Sequence, residues 1–197
     1  MNERPLYFIT HPNVVISRDI AVPLWPLSET GLARMKSALR QPWIDEISAV
    51  YCSTEQKAID GARVLADHRS LRAVEVEALG ENDRSSTGYL PADEFERVAD
   101  EFFRNPHESV RGWERAVDAQ ARIVRAVGNV ATSDRSEGSI AVVSHGAVGT
   151  LLYCHLTGQT IDRRWDQPAN GGGNFFRFSR SMNQADSGWK AIDALAI

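Results

Sequence analysis

The sequence predicts an α/β fold built on a largely parallel sheet, and three observations carry that prediction. Short apolar runs alternate with longer stretches of helical periodicity along most of the 197 residues. Two of the runs, Leu6-Tyr-Phe-Ile-Thr10 and Ile140-Ala-Val-Val-Ser144, are continuous enough to be strands buried on both faces. Each is followed at once by a histidine, His11 and His145. In an open α/β sheet, ligands bind outside the carboxyl ends of the strands. Two imidazoles delivered to that edge can face one ligand between them.

The elements follow in order. After the first strand comes a loop punctuated by Pro12, Pro23 and Pro26. Ser28 is an N-cap for a helix from Glu29 to Leu39, with Leu32, Met35 and Leu39 on its apolar face. Ile47 to Cys52 reads as a second buried strand ending at Ser53. A helix from about Glu55 to His68 offers Ile59, Ala62, Val64 and Leu65 for packing. Arg72 to Leu79 alternates apolar and charged residues, the pattern of a half-exposed strand. Gly80 to Pro91 is polar and turn-rich, hence a loop. Helices over Ala92 to Phe103 and Trp113 to Val130 are interrupted by Asn105-Pro106-His107. His145 opens a helix through Gly149, Leu151 and Leu152 that ends near Gly158. Asn174 to Phe178 is an aromatic strand and Trp189 to Ile192 an edge strand. Gly171-Gly-Gly173 is no nucleotide fingerprint, because it precedes a strand instead of following one and opening a helix. Trp113, Trp165 and the Phe102/Phe103 pair are expected in the core or an interface, and His68, His107 and His155 in structural roles. No repeat or linker divides the chain, so a single domain over residues 1–197 is expected.

Composition narrows the function classes. A formal charge of −4 gives no basic footprint, so nucleic acid is not the expected partner. Cys52 and Cys154 lie in apolar contexts and read as buried reduced thiols. No basic-then-apolar leader pattern and no apolar run of membrane-spanning length is visible, so a cytoplasmic protein without membrane contact is expected. No Cys/His cluster has zinc spacing, and no metal or other cofactor is expected.

Polar groups gather where four strands end: Thr10-His11, Ser53, Glu81 with Asp83, and Ser144-His145-Gly146, with Lys57 nearby. At this point the chain resembles the histidine phosphatase superfamily, the phosphoglycerate mutase-like fold, from Leu6 to about Phe178. Val142-Val-Ser-His-Gly146 looks like the family's second-histidine motif. Val50-Tyr-Cys-Ser53 through Lys57-Ala58 is similar to its V-Y-S-S, three residues, R-A segment. Leu79-Gly-Glu81 resembles the stretch carrying the acidic proton donor, and Trp25-Pro-Leu-Ser-Glu-Thr-Gly31-Leu the L-T-E-x-G helix start. The resemblance implies a three-layer α/β/α sandwich with a mostly parallel central sheet. It also suggests that residues 80–113 form a lid, and by family habit a homodimer.

There are two departures. Thr10-His11-Pro12 stands where the family has R-H-G, and Lys57 where it has a second arginine. An ammonium is a mobile point charge and does not replace a guanidinium fork. The resemblance implies that His11 attacks phosphorus and forms a phosphohistidine, with His145 donating to the phosphoryl group as imidazolium. Thr10, Asn13, Lys57 and Gly146 would hold phosphate oxygens, and Arg84 or Arg18 would supply replacement charge. Glu81 is the expected proton donor, with Asp83 in reserve. The leading expectation is a metal-independent phosphomonoesterase acting on a small phosphorylated metabolite or a phosphoprotein. The alternatives are a phosphoglycerate mutase-type phosphotransfer and a phosphate-binding or regulatory module without turnover. The longer mutase signature R-H-G-x-S-x-W-N is not met by Thr10-His11-Pro12-Asn13.

Overall fold

The computed structural model describes residues 4–194, so the domain expected over residues 1–197 extends beyond them at both ends. Six strands form one sheet: β1 (Pro5–Thr10), β2 (Ile47–Cys52), β3 (Ala73–Glu75), β4 (Ser139–Ser144), β5 (Asn174–Ser179) and β6 (Lys190–Ala191). Their order is β3-β2-β4-β1-β5-β6. The pairs β1–β4, β2–β4 and β2–β3 are parallel, whereas β5 and β6 add antiparallel strands at one side. Five α-helices lie among the described residues: α1 (Glu29–Ala38), α2 (Gln56–His68), α3 (Ala92–Arg104), α4 (Ala116–Ser133) and α5 (Gly146–Leu156).

Side-chain alternation along β1 assigns the layers. Leu6 and Phe8 join one core with buried residues of α3, α4 and α5. Tyr7 and Ile9 point the other way, into a core shared with Met35 and Ala38 of α1 and Leu65 of α2. Burying each large apolar side chain contributes about 1.5–3 kcal/mol, and β1 does so on both faces. The result is a three-layer α/β/α sandwich with β1 and β4 at its centre. No helix among the described residues is long and apolar enough to cross a membrane. Cys52 and Cys154 are buried free thiols, and burial pushes Cys52 up to about 12, leaving it a poor nucleophile.

Three local expectations need correction. In α1, Leu32 is 36% exposed, and Gly31 takes the inward place instead. A Cβ at Gly31 would lie 2.2 Å from the Asn13 carbonyl oxygen, so only glycine lets the helix seat against the loop after β1. The strand expected over Arg72 to Leu79 shortens to β3, because Glu77–Leu79 coils into a 3-10 turn. That turn buries Leu79 completely and aims Gly80 and Glu81 at the sheet edge. The helix expected from Trp113 begins at Ala116: the Glu114 N–H donates to Asp83 O at 2.8 Å and ties the chain to the loop. In the segment expected as a lid, α3 buries Val98, Phe102 and Phe103, and Trp113 is 2% exposed. Residues 80–85, 88 and 89 line a cleft together with Glu55, and α3 packs into the core.

The backbone behind His11 rests on the glycine triplet. Gly172 has φ +77°, and a Cβ there would lie 2.3 Å from the His11 carbonyl oxygen. Gly172→Ala is therefore expected to cost about 1–3 kcal/mol from the strained backbone alone. It should also displace His11 and lower any activity by more than the stability loss accounts for. Thermal unfolding and activity measured side by side check this.

Candidate active site

The parallel register of β1 and β4 pairs Thr10 with Ser144, so the next residue on each strand is a histidine. The His11 N–H donates to Ser144 O at 3.0 Å, and the Gly173 N–H donates to His11 O at 3.1 Å. These bonds fix the backbone on which the rings sit. The two rings meet edge to face with centroids 5.2 Å apart. Two imidazoles are thus gathered at one point on the sheet edge.

Their protonation follows from their surroundings. His11 Nδ1 lies 3.0 Å from Pro12 O, and a carbonyl only accepts, so Nδ1 carries the proton and Nε2 keeps its lone pair. Burial pushes His11 down to about 4, with Lys57 and Arg84 adding to the effect. His145 is fully buried, which holds it well below the usual histidine range. Its Nε2 lies 2.9 Å from Ser53 Oγ and 3.4 Å from Glu55 Oε1, and its Nδ1 is buried without a partner. Burial thus opposes the expected imidazolium, whereas the Glu55 charge beside the ring favours it. A phosphate dianion arriving beside the ring would reverse the balance.

Glu81 sits at the N-terminus of α5. Its carboxyl oxygens accept the Ala147 and Val148 N–H groups at 3.2 and 3.1 Å. Burial nevertheless raises its pKa, aided by the Glu55 charge. A carboxyl raised in this way suits a proton donor. Asp83 is exposed and accepts the Ser85 N–H at 2.9 Å, the geometry of a turn cap. Arg122 clasps the Glu81 segment from behind. It donates to Ala78 O, Gly80 O and Glu81 O at 2.9–3.0 Å while bonding Glu114 through two nitrogens.

The expected phosphate contacts divide. The Thr10 hydroxyl is buried, donating to Gln167 Oε1 at 2.7 Å and accepting the Asn174 N–H at 3.0 Å. It ties the end of β1 to the start of β5. Asn13 Oδ1 accepts from Arg34, which is itself bonded to Asp193. The Lys57 ammonium is buried between Val22 O and Glu55 Oε2. Gly146 opens α5, and a Cβ there would lie 2.6 Å from Gln167 Nε2. Arg84 and Arg18 line the cleft with no ion pair to a described residue, stacked over Phe95 and Tyr89 at 4.9 and 5.4 Å. The cleft holds about 660 Å³.

Sequence reasoning missed Glu55, the residue before α2. The signal was present, since it stands between Ser53 and Lys57, both of which were singled out. It was read only as the start of a helix.

The model of the histidine phosphatase superfamily (branch 1) matches residues 17–185. The chain belongs to the histidine phosphatase superfamily. The match begins six residues after His11, beyond the Thr10-His11-Pro12 departure. Among solved structures, the chain resembles a mycobacterial glucosyl-3-phosphoglycerate phosphatase in complex with inorganic phosphate, with a TM-score of 0.77 at 18% identity. That alignment covers 97% of this chain and 99% of the other. Bacillus stearothermophilus YhfR aligns with a TM-score of 0.72 at 23% identity, covering 88% and 89% of the two chains. The alpha-ribazole phosphatase from Shigella flexneri aligns at 0.68 and 16%, covering 98% of each. No curated protein sequence matches the chain. At these identities the structural likeness establishes the superfamily fold.

The depressed histidines have a consequence for pH. In the unfolded chain both imidazoles take protons below about pH 6.5. The folded site refuses them until about pH 4 at His11 and well below the ordinary value at His145. The unfolded state binds more protons in that window, so stability falls as pH drops from about 6.5 toward 4. A His11→Asn, His145→Asn double variant should show a flatter dependence of unfolding midpoint on pH. An unchanged slope would place the titrating groups elsewhere.

Proposed function

We propose that this chain is a metal-independent phosphomonoesterase working through a phosphohistidine on His11, with small phosphorylated metabolites or a phosphoprotein as substrate. The observation that carries the reading is the edge-to-face pairing of His11 and His145, with the His11 Nε2 lone pair left free by the Pro12 carbonyl.

In the first step Nε2 attacks phosphorus and the ester P–O bond breaks. The leaving alkoxide takes the Glu81 proton. In the second step the Glu81 carboxylate takes a proton from water, whose oxygen attacks phosphorus as the P–N bond breaks. Neutral His11, protonated Glu81 and inorganic phosphate result. Splitting one displacement into two is the gain of covalent catalysis. Positioning and charge compensation supply the rest. Arg84 and the His145 ring meet the phosphoryl oxygens, with Arg84 replacing charge that Thr10 does not provide.

The supports are physical. His11 is neutral over the working range, burial keeps Glu81 protonated above the usual carboxylate value despite the opposing Arg84 charge, and the Arg84 guanidinium forms no close ion pair among the described residues. Thr10 and Lys57, standing where the family has arginines, favour a second reading, a phosphate-binding module without turnover. A panel of phosphomonoesters, including 2,3-bisphosphoglycerate, tests the choice. Release of inorganic phosphate supports the esterase. Transfer between phosphoglycerates would instead indicate a mutase, and saturable phosphate binding without turnover would indicate the binding module.

A further inference from the structure

Lys57 and His145, both expected to meet phosphate, already share an anion belonging to the protein. Glu55 Oε2 is ion-paired with the Lys57 ammonium, whose side chain is 3% exposed. Glu55 Oε1 accepts the Glu81 N–H at 3.1 Å and lies 3.4 Å from His145 Nε2. An ammonium, a ring nitrogen and a backbone N–H converging on one carboxylate form the donor set that an oxyanion requires. Burial opposes its charge, but His145 and Lys57 hold Glu55 down to about 2, so it is ionised at any working pH. The carboxylate also borders the cleft, beside Glu81 and Arg84.

We propose that Glu55 is a specificity-determining residue, a resident anion that competes with the phosphoryl group for Lys57 and His145. The inference rests on the phosphate-handling role proposed above and refines its substrate class. A bare dianion must share those donors with Glu55 or displace it, so inorganic phosphate binds weakly. A productive substrate adds binding energy through its leaving group, along the wall formed by Ile20, Val22 and Tyr89 and the Arg18 guanidinium. The favoured class is therefore a phosphomonoester with a sizeable, partly apolar leaving group, and the product phosphate is readily expelled.

Titration calorimetry with inorganic phosphate on the wild type, Glu55→Gln and Glu55→Asp tests this. Glu55→Gln keeps an oxygen for the Glu81 N–H and removes the charge. Its affinity for phosphate should rise by at least about tenfold, while the charge-retaining Glu55→Asp stays near the wild type. Because Glu55→Gln leaves the buried Lys57 ammonium unpaired, its unfolding midpoint should fall without phosphate and recover when phosphate is added. A merely structural Glu55 would give the fall without the recovery. Unchanged or weaker phosphate binding by Glu55→Gln, in a protein whose wild type hydrolyses esters, overturns the resident anion alone. Absence of both phosphate binding and hydrolysis in the wild type overturns this inference together with the phosphatase reading.

Discussion

Replacing His11 with alanine is expected to lower kcat for phosphomonoester hydrolysis by about 10⁴-fold or more, because no second group can take over the covalent step. His11 is suited to that step for two reasons visible in the fold. The Pro12 carbonyl fixes the proton on Nδ1, and burial holds the ring neutral down to about pH 4. A resting imidazolium would have no lone pair to offer. The variant should also fail to form the acid-labile phosphoenzyme that rapid quench with radiolabelled substrate traps in the wild type. Its fold should persist, since the β1–β4 register and the bond from the His11 N–H to Ser144 O are backbone features. A His11→Ala protein that still hydrolyses esters within about tenfold of the wild type would rule out the covalent route.

Glu81→Gln should produce the second large loss, about 10²–10⁴-fold, and a selective one. An alkyl phosphate releases a poor leaving group that needs the proton, whereas a nitrophenyl phosphate does not. The loss should therefore be large for the former and within about tenfold for the latter. The pH profile gives an independent readout. In the wild type, kcat/KM rises with pH as His11 loses its proton near pH 4 and falls once Glu81 ionises above the usual carboxylate range. Activity therefore peaks between these two ionisations. Glu81→Gln should keep the acid limb and lose the alkaline one. Equal losses on both substrates, with the alkaline limb retained, would identify Glu81 as a cap of α5 whose removal disturbs His145.

Much of this site was legible before any coordinates. The two histidines stood out because each follows a run apolar enough to be a central strand, and a parallel sheet brings the ends of such strands together. β2 was readable to the residue and β4 to within one, Ile140 instead of Ser139, and burial of β4 on both faces leaves a continuous apolar signal. The site's polar wiring was not legible. Glu55 and Lys57 are two apart, a spacing that does not face within a helix. They meet because Glu55 lies just before α2, in an extended conformation with φ −81° and ψ 138°. Nothing in the local sequence announces that turn. Thr10 looked like a phosphate ligand through its place beside His11, but strand alternation sends its hydroxyl into the bonds with Gln167 and Asn174, more than 150 residues away. Arg122 drew no notice because its partners are carbonyls of a loop some 40 residues earlier, contacts that leave no periodic trace.

A crystal structure with orthovanadate is the most direct test that both imidazoles serve one anion. The expected result is a five-coordinate vanadium with His11 Nε2 in an apical position, and with the His145 ring and the Arg84 guanidinium within hydrogen-bonding distance of its equatorial oxygens. Vanadate bound away from the pair, or held by one ring while the other keeps its resting contacts, would contradict the account.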